Sequence, residues 1–342
     1  MKAGETEISQ FQTKETVKAM SWGVSLASKI PGKDGYKKSL KDLTETLRES
    51  GNNIIGTPEP FYKKGSTKNP AGYVIKTDKE VMVCYHGTQF NKLLGSGARE
   101  AINDLRIAKS TMQFGDHKGK VHTGFKIEYE LSKDSLMQAL DKVNTDDPKP
   151  LHISGHSLGG AVAQIAALDL TTNAQKKVSA VTTFGGPRVF SKATAQFYTD
   201  KELSNKTLRV KIGKDPVPRF PLEIFDYGHV GFKINVTQGF HSGADYRKNT
   251  DALTHEDINS KKESSLRNNS IKDYMKAVKR TPALAFSKIR KSTKSVIDKS
   301  NQLKKALIAA ATKKALSTLS RYIATAYPLP KLKKETTKQT QK

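Results

Sequence analysis

The run Leu151-His-Ile-Ser-Gly-His-Ser-Leu-Gly-Gly-Ala161 decides how this chain is read. Gly155-His-Ser-Leu-Gly159 is a G-x-S-x-G with strand-like apolar residues before it. After it, Gly160-Ala-Val-Ala-Gln-Ile-Ala-Ala-Leu-Asp-Leu170 is small and aliphatic on nearly every side, as in a helix buried against a sheet. A strand, a sharp turn and a helix around this pentapeptide separate a nucleophile elbow from a chance match. A serine raised on such a turn needs small neighbours two residues away on either side, and Gly155 and Gly159 supply them. The helix N-terminus directs the positive end of its dipole at Ser157.

Outward from the elbow, strand and helix patterns alternate. Gly72-Tyr-Val-Ile-Lys76, the turn Thr77-Asp-Lys-Glu80 and Val81-Met-Val-Cys-Tyr85 read as a hairpin entering a sheet. A helix is predicted from Gly124 to about Val143, closed by Asn144-Thr-Asp-Asp-Pro148. Two further strands, Val178–Phe184 and Leu208–Ile212, end in Gly185-Gly-Pro187 and Gly213-Lys-Asp-Pro216. Such alternation predicts a mostly parallel, buried sheet flanked by helices. Upstream, residues 7–29 carry apolar positions at helical spacing. Residues 30–70 read mainly as loop, with one helical stretch near 38–49.

The chain has 342 residues and a net charge of +26, and residues 256–342 hold 22 Lys and Arg against 6 Asp and Glu, a net of +16. No run approaches the ~20 apolar residues of a membrane span. Acids near the N-terminus replace the basic and apolar regions of an export signal, and the lone Cys84 has no disulfide partner. These features predict a cytoplasmic or peripheral-membrane protein, with export by a non-classical route left open. Cys84, inside an apolar run, is expected to be a small core residue.

A serine hydroxyl is a poor nucleophile without a histidine base and an acid that orients it. On this type of sheet the three follow in the order Ser, Asp or Glu, His, each near the end of a strand. Asp215 directly follows a predicted strand, and Pro216 and Pro218 stiffen its loop. The histidines beyond it are His229, His241 and His255. His255 is preferred because a late loop can fold back over the strand ends, and His241 comes second. Tyr227-Gly-His-Val-Gly231 reads as a strand or tight turn, so His229 is expected to be structural, as are His122, His152 and His156.

These residues together resemble the class 3 lipases, the fungal triacylglycerol lipase-like branch of the α/β-hydrolase superfamily. Besides Gly155–Gly160, the similarity is carried by Tyr85-His-Gly-Thr88, Ile102-Asn-Asp-Leu105, Val121-His-Thr-Gly-Phe125, Phe184-Gly-Gly-Pro-Arg188, Asp215-Pro-Val-Pro218, Tyr227-Gly-His-Val-Gly231 and His255-Glu-Asp-Ile258. These core motifs run in order from 72 to 258. The resemblance implies an α/β-hydrolase catalytic domain over 1–258, with Ser157 as nucleophile, Asp215 as acid and His255 as base. It also implies an oxyanion hole from the backbone N–H groups of Thr88 and Leu158, with no cofactor and no metal. Two departures stand out. His86 replaces the family's usual arginine, and Gln89–Arg99 is longer than usual where family members carry a lid helix.

Residues 259–342 match nothing in that family. Ile271, Tyr274, Met275 and Val278 begin a series of apolar positions at helical spacing among lysines. The segment reads as a basic amphipathic helical extension suited either to an anionic membrane surface or to packing on the catalytic domain. Nucleic acid is not expected as a partner, because few aromatics interleave the basic residues. The expected function is a serine-dependent lipid ester hydrolase of lipase or phospholipase A type, with a lipid or phospholipid substrate. The competing expectation is an inactive lipase-fold protein acting as a membrane- or partner-binding module.

Overall fold

Continuous apolar runs such as Val81–Tyr85 and Val178–Phe184 fit only where a sheet is covered on both faces. In the computed structural model, which describes residues 13–87, 108–144, 146–213, 215–236 and 242–253, both runs are buried along their whole length. A seven-stranded sheet takes the order β1 (Glu59–Tyr62), β2 (Pro70–Lys76), β3 (Val81–Tyr85), β6 (Leu151–His156), β7 (Val178–Phe184), β9 (Thr207–Ile212), β11 (Phe232–Val236). The first three strands pair antiparallel, and β3, β6, β7, β9 and β11 run parallel. The expected mostly parallel sheet, hairpin and elbow strand are therefore present.

Two layers cover the sheet. On one face, α3 (Thr123–Asn144) and α4 (Leu158–Thr172) close a core that includes Val83, Ile153, Ile165, Leu168 and Val181. On the other, α1 (Lys14–Ala27) and α2 (Asp34–Glu49) pack with Met82, Cys84, Val210, Ile212 and Ile234. Helix α1 spans most of the predicted N-terminal helix. Helix α2 begins four residues earlier than the pattern near 38–49 indicates, because Asp34 and Gly35 are taken into its first turn.

A second, antiparallel sheet of β10 (Tyr227–Gly228), β8 (Phe190–Ser191), β5 (His117–His122) and β4 (Lys109–Phe114) was not expected from sequence. The β4–β5 hairpin at its edge turns at Gly115-Asp116, where Gly115 adopts φ +57°. A short helix, α5 (Lys192–Asp200), follows β8, and α6 (Gly243–Asp251) ends the described chain. No described helix is long and apolar enough to cross a membrane. The candidate lid at 89–99 and the extension at 259–342 lie outside the described residues, and with them the boundary drawn at 258.

The histidines expected to be structural do pack or bond. His122 stacks on Phe125 with ring centroids 4.0 Å apart. The buried His152 bridges Glu80 (Nδ1 to Oε2, 3.2 Å) and Thr182 (Nε2 to Oγ1, 2.8 Å) beneath the sheet's N-terminal edge. Cys84 is fully buried, with its thiol pushed up to about 12 chiefly by that burial. Helix α1 crosses β3 so closely there that a β-carbon on Gly23 would lie 2.5 Å from Cys84 Sγ. Gly23→Ala should consequently destabilise the fold by about 1–3 kcal/mol despite its helical preference. Adding Cys84→Ala, which removes the obstructing sulfur, should recover most of that loss. Urea denaturation of the two single variants and the double variant checks this, and additive effects would refute the contact.

Candidate active site

The elbow is built by backbone proximity. Strand β6 runs up to His156, α4 begins at Leu158, and Ser157 between them takes φ 54°, ψ −122°. That region is costly for a residue with a β-carbon, on the order of 1–3 kcal/mol, and persists only where the surroundings enforce it. Here the Ser157 N–H donates to the Phe184 carbonyl on β7 (2.9 Å), and the Gly160 and Ala161 N–H groups donate back to the Ser157 carbonyl (3.0 and 3.3 Å). A β-carbon on Gly155 would fall 2.2 Å from the Gly159 carbonyl, and one on Gly159 would fall 2.8 Å from the carbonyls of Tyr85 and His86. Both glycines therefore do what the sequence reading required of them. Ser157 itself is fully buried.

Asp215 lies in the loop after β9 and is also fully buried. Its Oδ1 accepts the Val217 N–H (2.9 Å), a turn that Pro216 and Pro218 make rigid. Its Oδ2 accepts the Tyr246 O–H at 2.6 Å. The same phenolic oxygen takes the Ile212 N–H at 3.2 Å, which ties the end of β9, the acid and α6 together. Burial and the neighbouring Asp215 charge drive the phenol far above its ordinary value, so Tyr246 remains a donor at any physiological pH. Gly185 is pressed into this knot. At φ +61°, a β-carbon there would lie 2.7 Å from both Asp215 Oδ2 and the Tyr246 hydroxyl.

Tyr246 is the member of the site that sequence reasoning missed. The available signal was Ser242-Gly-Ala-Asp245, a helix start whose cap is realised by the Ser242 side chain accepting the Asp245 N–H at 3.0 Å. That helix brings Tyr246 within 5.5 Å, ring to ring, of His156. Gly243 sits where its β-carbon would be 3.9 Å from His156 Nδ1.

Of the residues expected to react, the structure gives definite positions to Ser157, Asp215 and Leu158. Leu158 is the first residue of α4, immediately after the serine. His241, His255 and Thr88 lie outside the described residues. Gly87, which precedes Thr88, packs on the elbow, its β-carbon position being 2.7 Å from the His156 carbonyl. His86 has its ring driven toward the neutral form by burial and by Lys63 and Lys29. A neutral imidazole thus occupies a position where the resembled family has a cation.

Among the described residues no group of three His, Cys, Asp or Glu could hold a metal ion. A cavity lined by Thr111, Lys133 and Asp169 lies along α4 rather than at its start. Asp169 is 12 positions along the helix from Ser157, which places it roughly 18 Å away.

With this geometry established, comparison with known proteins finds that a family model described as Lipase (class 3) matches residues 83–225. The chain is 32% identical over 167 residues to a secreted mono- and diacylglycerol lipase of Fusarium solani, covering 48% of this chain and 46% of that one. It is 29% identical over 178 residues to a lipase of Rhizopus niveus, covering 49% and 42%. The match spans less than half the length of these relatives. Among solved structures, a lipase from Rhizopus microsporus var. chinensis aligns over 66% of this chain and 75% of that one, with 22% identity and a TM-score of 0.50. A mono- and diacylglycerol lipase from Aspergillus oryzae aligns over 68% and 82%, with 21% identity and a TM-score of 0.50. At that identity the likeness speaks to the fold, which is the α/β-hydrolase fold.

The expectation of a cytoplasmic or peripheral-membrane protein is corrected by these relatives, several of which are named as secreted lipases. That expectation leaned on the lone cysteine, but a fully buried thiol held almost wholly protonated is chemically quiet in oxidising surroundings too. It carries no information about compartment.

Two substitutions test the knit of the site by chemical denaturation. Tyr246→Phe removes the acceptor of the Ile212 N–H and one donor to the buried Asp215 carboxylate and should cost about 1–3 kcal/mol. Gly155→Ala forces backbone apart at the elbow and should cost at least as much. Wild-type stability in either variant would contradict the geometry described.

Proposed function

We propose that this chain is a member of the class 3 lipase family, whose model matches residues 83–225, and a carboxylic ester hydrolase acting on lipid esters through an acyl-enzyme at Ser157. The observation that carries this reading is the strained Ser157 backbone between β6 and α4, beside a buried Asp215 held by Tyr246 and Val217. A nucleophile fixed in advance on a rigid turn reaches the acyl carbonyl with little reorganisation. Oγ attacks that carbonyl while the base takes its proton, and the oxyanion so formed lies against the Leu158 and Thr88 N–H groups. Such donors act on charge that exists only in the intermediate, and losing one typically lowers the rate by ~10²–10³. The intermediate collapses, the leaving alcohol takes the proton back from the base, and water then attacks the acyl-enzyme by the same route.

For the base, the described neighbours support His241 over His255. His241 is one residue before Ser242, which caps the helix that delivers Tyr246 to Asp215 and sets Gly243 beside His156. Its chain neighbour two residues on, Gly243, has a β-carbon position 3.9 Å from His156 Nδ1, and this link in sequence is what supports His241. The other end of α6, roughly 12 Å down the helix axis, is bonded to α1 through Thr250 and Ser21. His255 continues from that far end. The Ser–Asp–His assignment is thus Ser157, Asp215 and His241, with His255 as the alternative base.

The named relatives act on mono- and diacylglycerols, and acylglycerols are the substrate class we propose. Phospholipid and an anionic lipid surface form a finer reading, supported by the net charge of +26. We place the site of action outside the cell, as for the secreted relatives.

A fluorophosphonate probe should label the wild-type chain and leave Ser157→Ala unlabelled. His241→Ala should lower kcat by about 10⁶, with His255→Ala close to wild type. The reverse pattern would transfer the base to His255. Absence of labelling in wild type, even with emulsified diacylglycerol present, would sink the enzyme reading in favour of a binding module on a lipase scaffold. Hydrolysis of mono-, di- and triacylglycerol and of phosphatidylcholine, each compared with Ser157→Ala, fixes the lipid class.

A further inference from the structure

Strands β9 and β11 bury Leu208, Val210, Ile212, Ile234 and Val236 toward α1, so the alternate positions face the other side of the sheet. Those positions are cationic. Arg209 stands in register with Lys233, and Lys211 with Asn235. Arg209 bonds the Val230 carbonyl next to His229, His229 bonds the Pro218 carbonyl, and Arg188 bonds the Arg219 and Pro221 carbonyls of the same loop.

What these groups, half-buried at Arg188, Arg209 and His229 and exposed at Lys233 and Arg219, bond to is mostly main-chain carbonyl. Arg209 donates from Nε to the Val230 carbonyl (2.8 Å), and its terminal nitrogens have no acceptor among the described residues. Arg188 donates from one terminal nitrogen to the carbonyls of Arg219 (2.6 Å) and Pro221 (3.2 Å). Its single acidic neighbour among the described residues, Glu223, is 3.7 Å away and half exposed. No described carboxylate lies within ion-pair distance of Arg209, Lys211, Lys233 or Arg219. His229 donates from Nε2 to the Pro218 carbonyl (2.7 Å), which leaves Nδ1 as a buried nitrogen without a partner.

The mutual repulsion is felt throughout. Burial and Arg188 pull Arg209 down to about 10, and burial with Arg209, Arg188 and Lys233 keeps the His229 ring neutral. Lys233 is lowered by burial and by Arg209. Carbonyl oxygens satisfy donors without cancelling charge, so like charges that are partly withdrawn from water repel one another until an anion pairs with them.

We propose that this cluster is a binding site for a phosphate-type oxyanion, seated on the free terminal nitrogens of Arg209 and bounded by Arg188, His229 and Lys233. Guanidinium forks match such oxygens two at a time, which a scatter of surface lysines does not. A protonated phosphate oxygen would also give His229 Nδ1 the hydrogen it lacks. The loop that caps the site starts at Asp215, so a free phosphate and the phosphoryl head group of a lipid are both sources of this chemistry.

Thermal denaturation of the full chain in inorganic phosphate, against sodium chloride at equal ionic strength, tests the site without requiring turnover. Phosphate should raise Tm in wild type and equally in Ser157→Ala. Arg209→Gln should weaken phosphate affinity at least about tenfold, the scale of one lost charge-assisted pair, while matching or exceeding wild-type Tm in chloride. Lys233→Gln, at an exposed edge position, should weaken it about threefold and decides the matter if Arg209→Gln does not fold. A phosphate effect no larger than that of chloride, or one undiminished in Arg209→Gln or, failing that variant, in Lys233→Gln, overturns the proposal. The source is read from dihexanoyl phosphatidylcholine and dihexanoylglycerol hydrolysis with phosphate added. A rise in KM for the phospholipid alone assigns the site to a head group, whereas unchanged KM values with Tm stabilisation intact assign it to the free ion.

Discussion

Everything at the active end of the sheet depends on how closely the backbone of β6 passes that of α4. The Gly155 and Gly159 peptides occupy space that two β-carbons would need, and this contact forces Ser157 into its strained turn. Strain of that kind has to be held by something rigid. The Ser157 N–H bond to Phe184 supplies one anchor, and Phe184 belongs to a strand buried at every position. The turn therefore inherits its rigidity from the centre of the sheet. Gly185, the next residue, takes a left-handed conformation that leaves room for the Asp215 carboxylate and the Tyr246 hydroxyl. Strand β7 thus holds the serine turn with one residue and makes space for the acid with the next.

This arrangement was legible in sequence where the signal was local. A glycine that only a close approach requires, an apolar run that only a covered strand tolerates and an acid followed by prolines each state their structural need within a few residues. The elbow, the central strands and Asp215 could be read for that reason. Tyr246 could not, because its bond to Asp215 joins positions 31 residues apart and nothing within α6 distinguishes that tyrosine from one packed in a core. The hairpin of β4 and β5 was overlooked because Lys118 and Lys120 alternate with buried positions and weaken the apolar signal. Its Gly115-Asp116 turn was the clue. Strand β11 was lost in a similar way, since Phe232-Lys-Ile-Asn-Val236 carries polar residues at alternate positions and follows the short β10 after only three residues.

Preference among the late histidines shows where such reading stops. From sequence, His255 is preferred because a late loop can fold back over the strand ends. The fold introduces a different criterion, namely which end of α6 faces the elbow. That orientation is set by Tyr246 at one end and by the Thr250 to Ser21 bond at the other, two long-range contacts with no local signature. The proposed preference for His241 rests on that orientation alone, and both histidines lie outside the described residues.

The loop from Asp215 to Pro221 keeps two kinds of charge apart. At its start, the described donors to the carboxylate are an amide and a phenol, which stabilise the anion without neutralising it. At its end, the partners of the guanidinium of Arg188 are mainly carbonyls, which accept its hydrogens without quenching its charge. Had either arginine reached Asp215, an ion pair would have formed in a dry site and the carboxylate would have lost much of its pull on an imidazolium. Prolines at 216, 218 and 221 restrict the loop's freedom to make that exchange. In the proposed mechanism this leaves the acid to orient a base, and in the proposed site it leaves the cations to an anion from outside. The same stiffness that holds the proposed catalytic acid therefore leaves positive charge unspent on the adjoining face of the sheet.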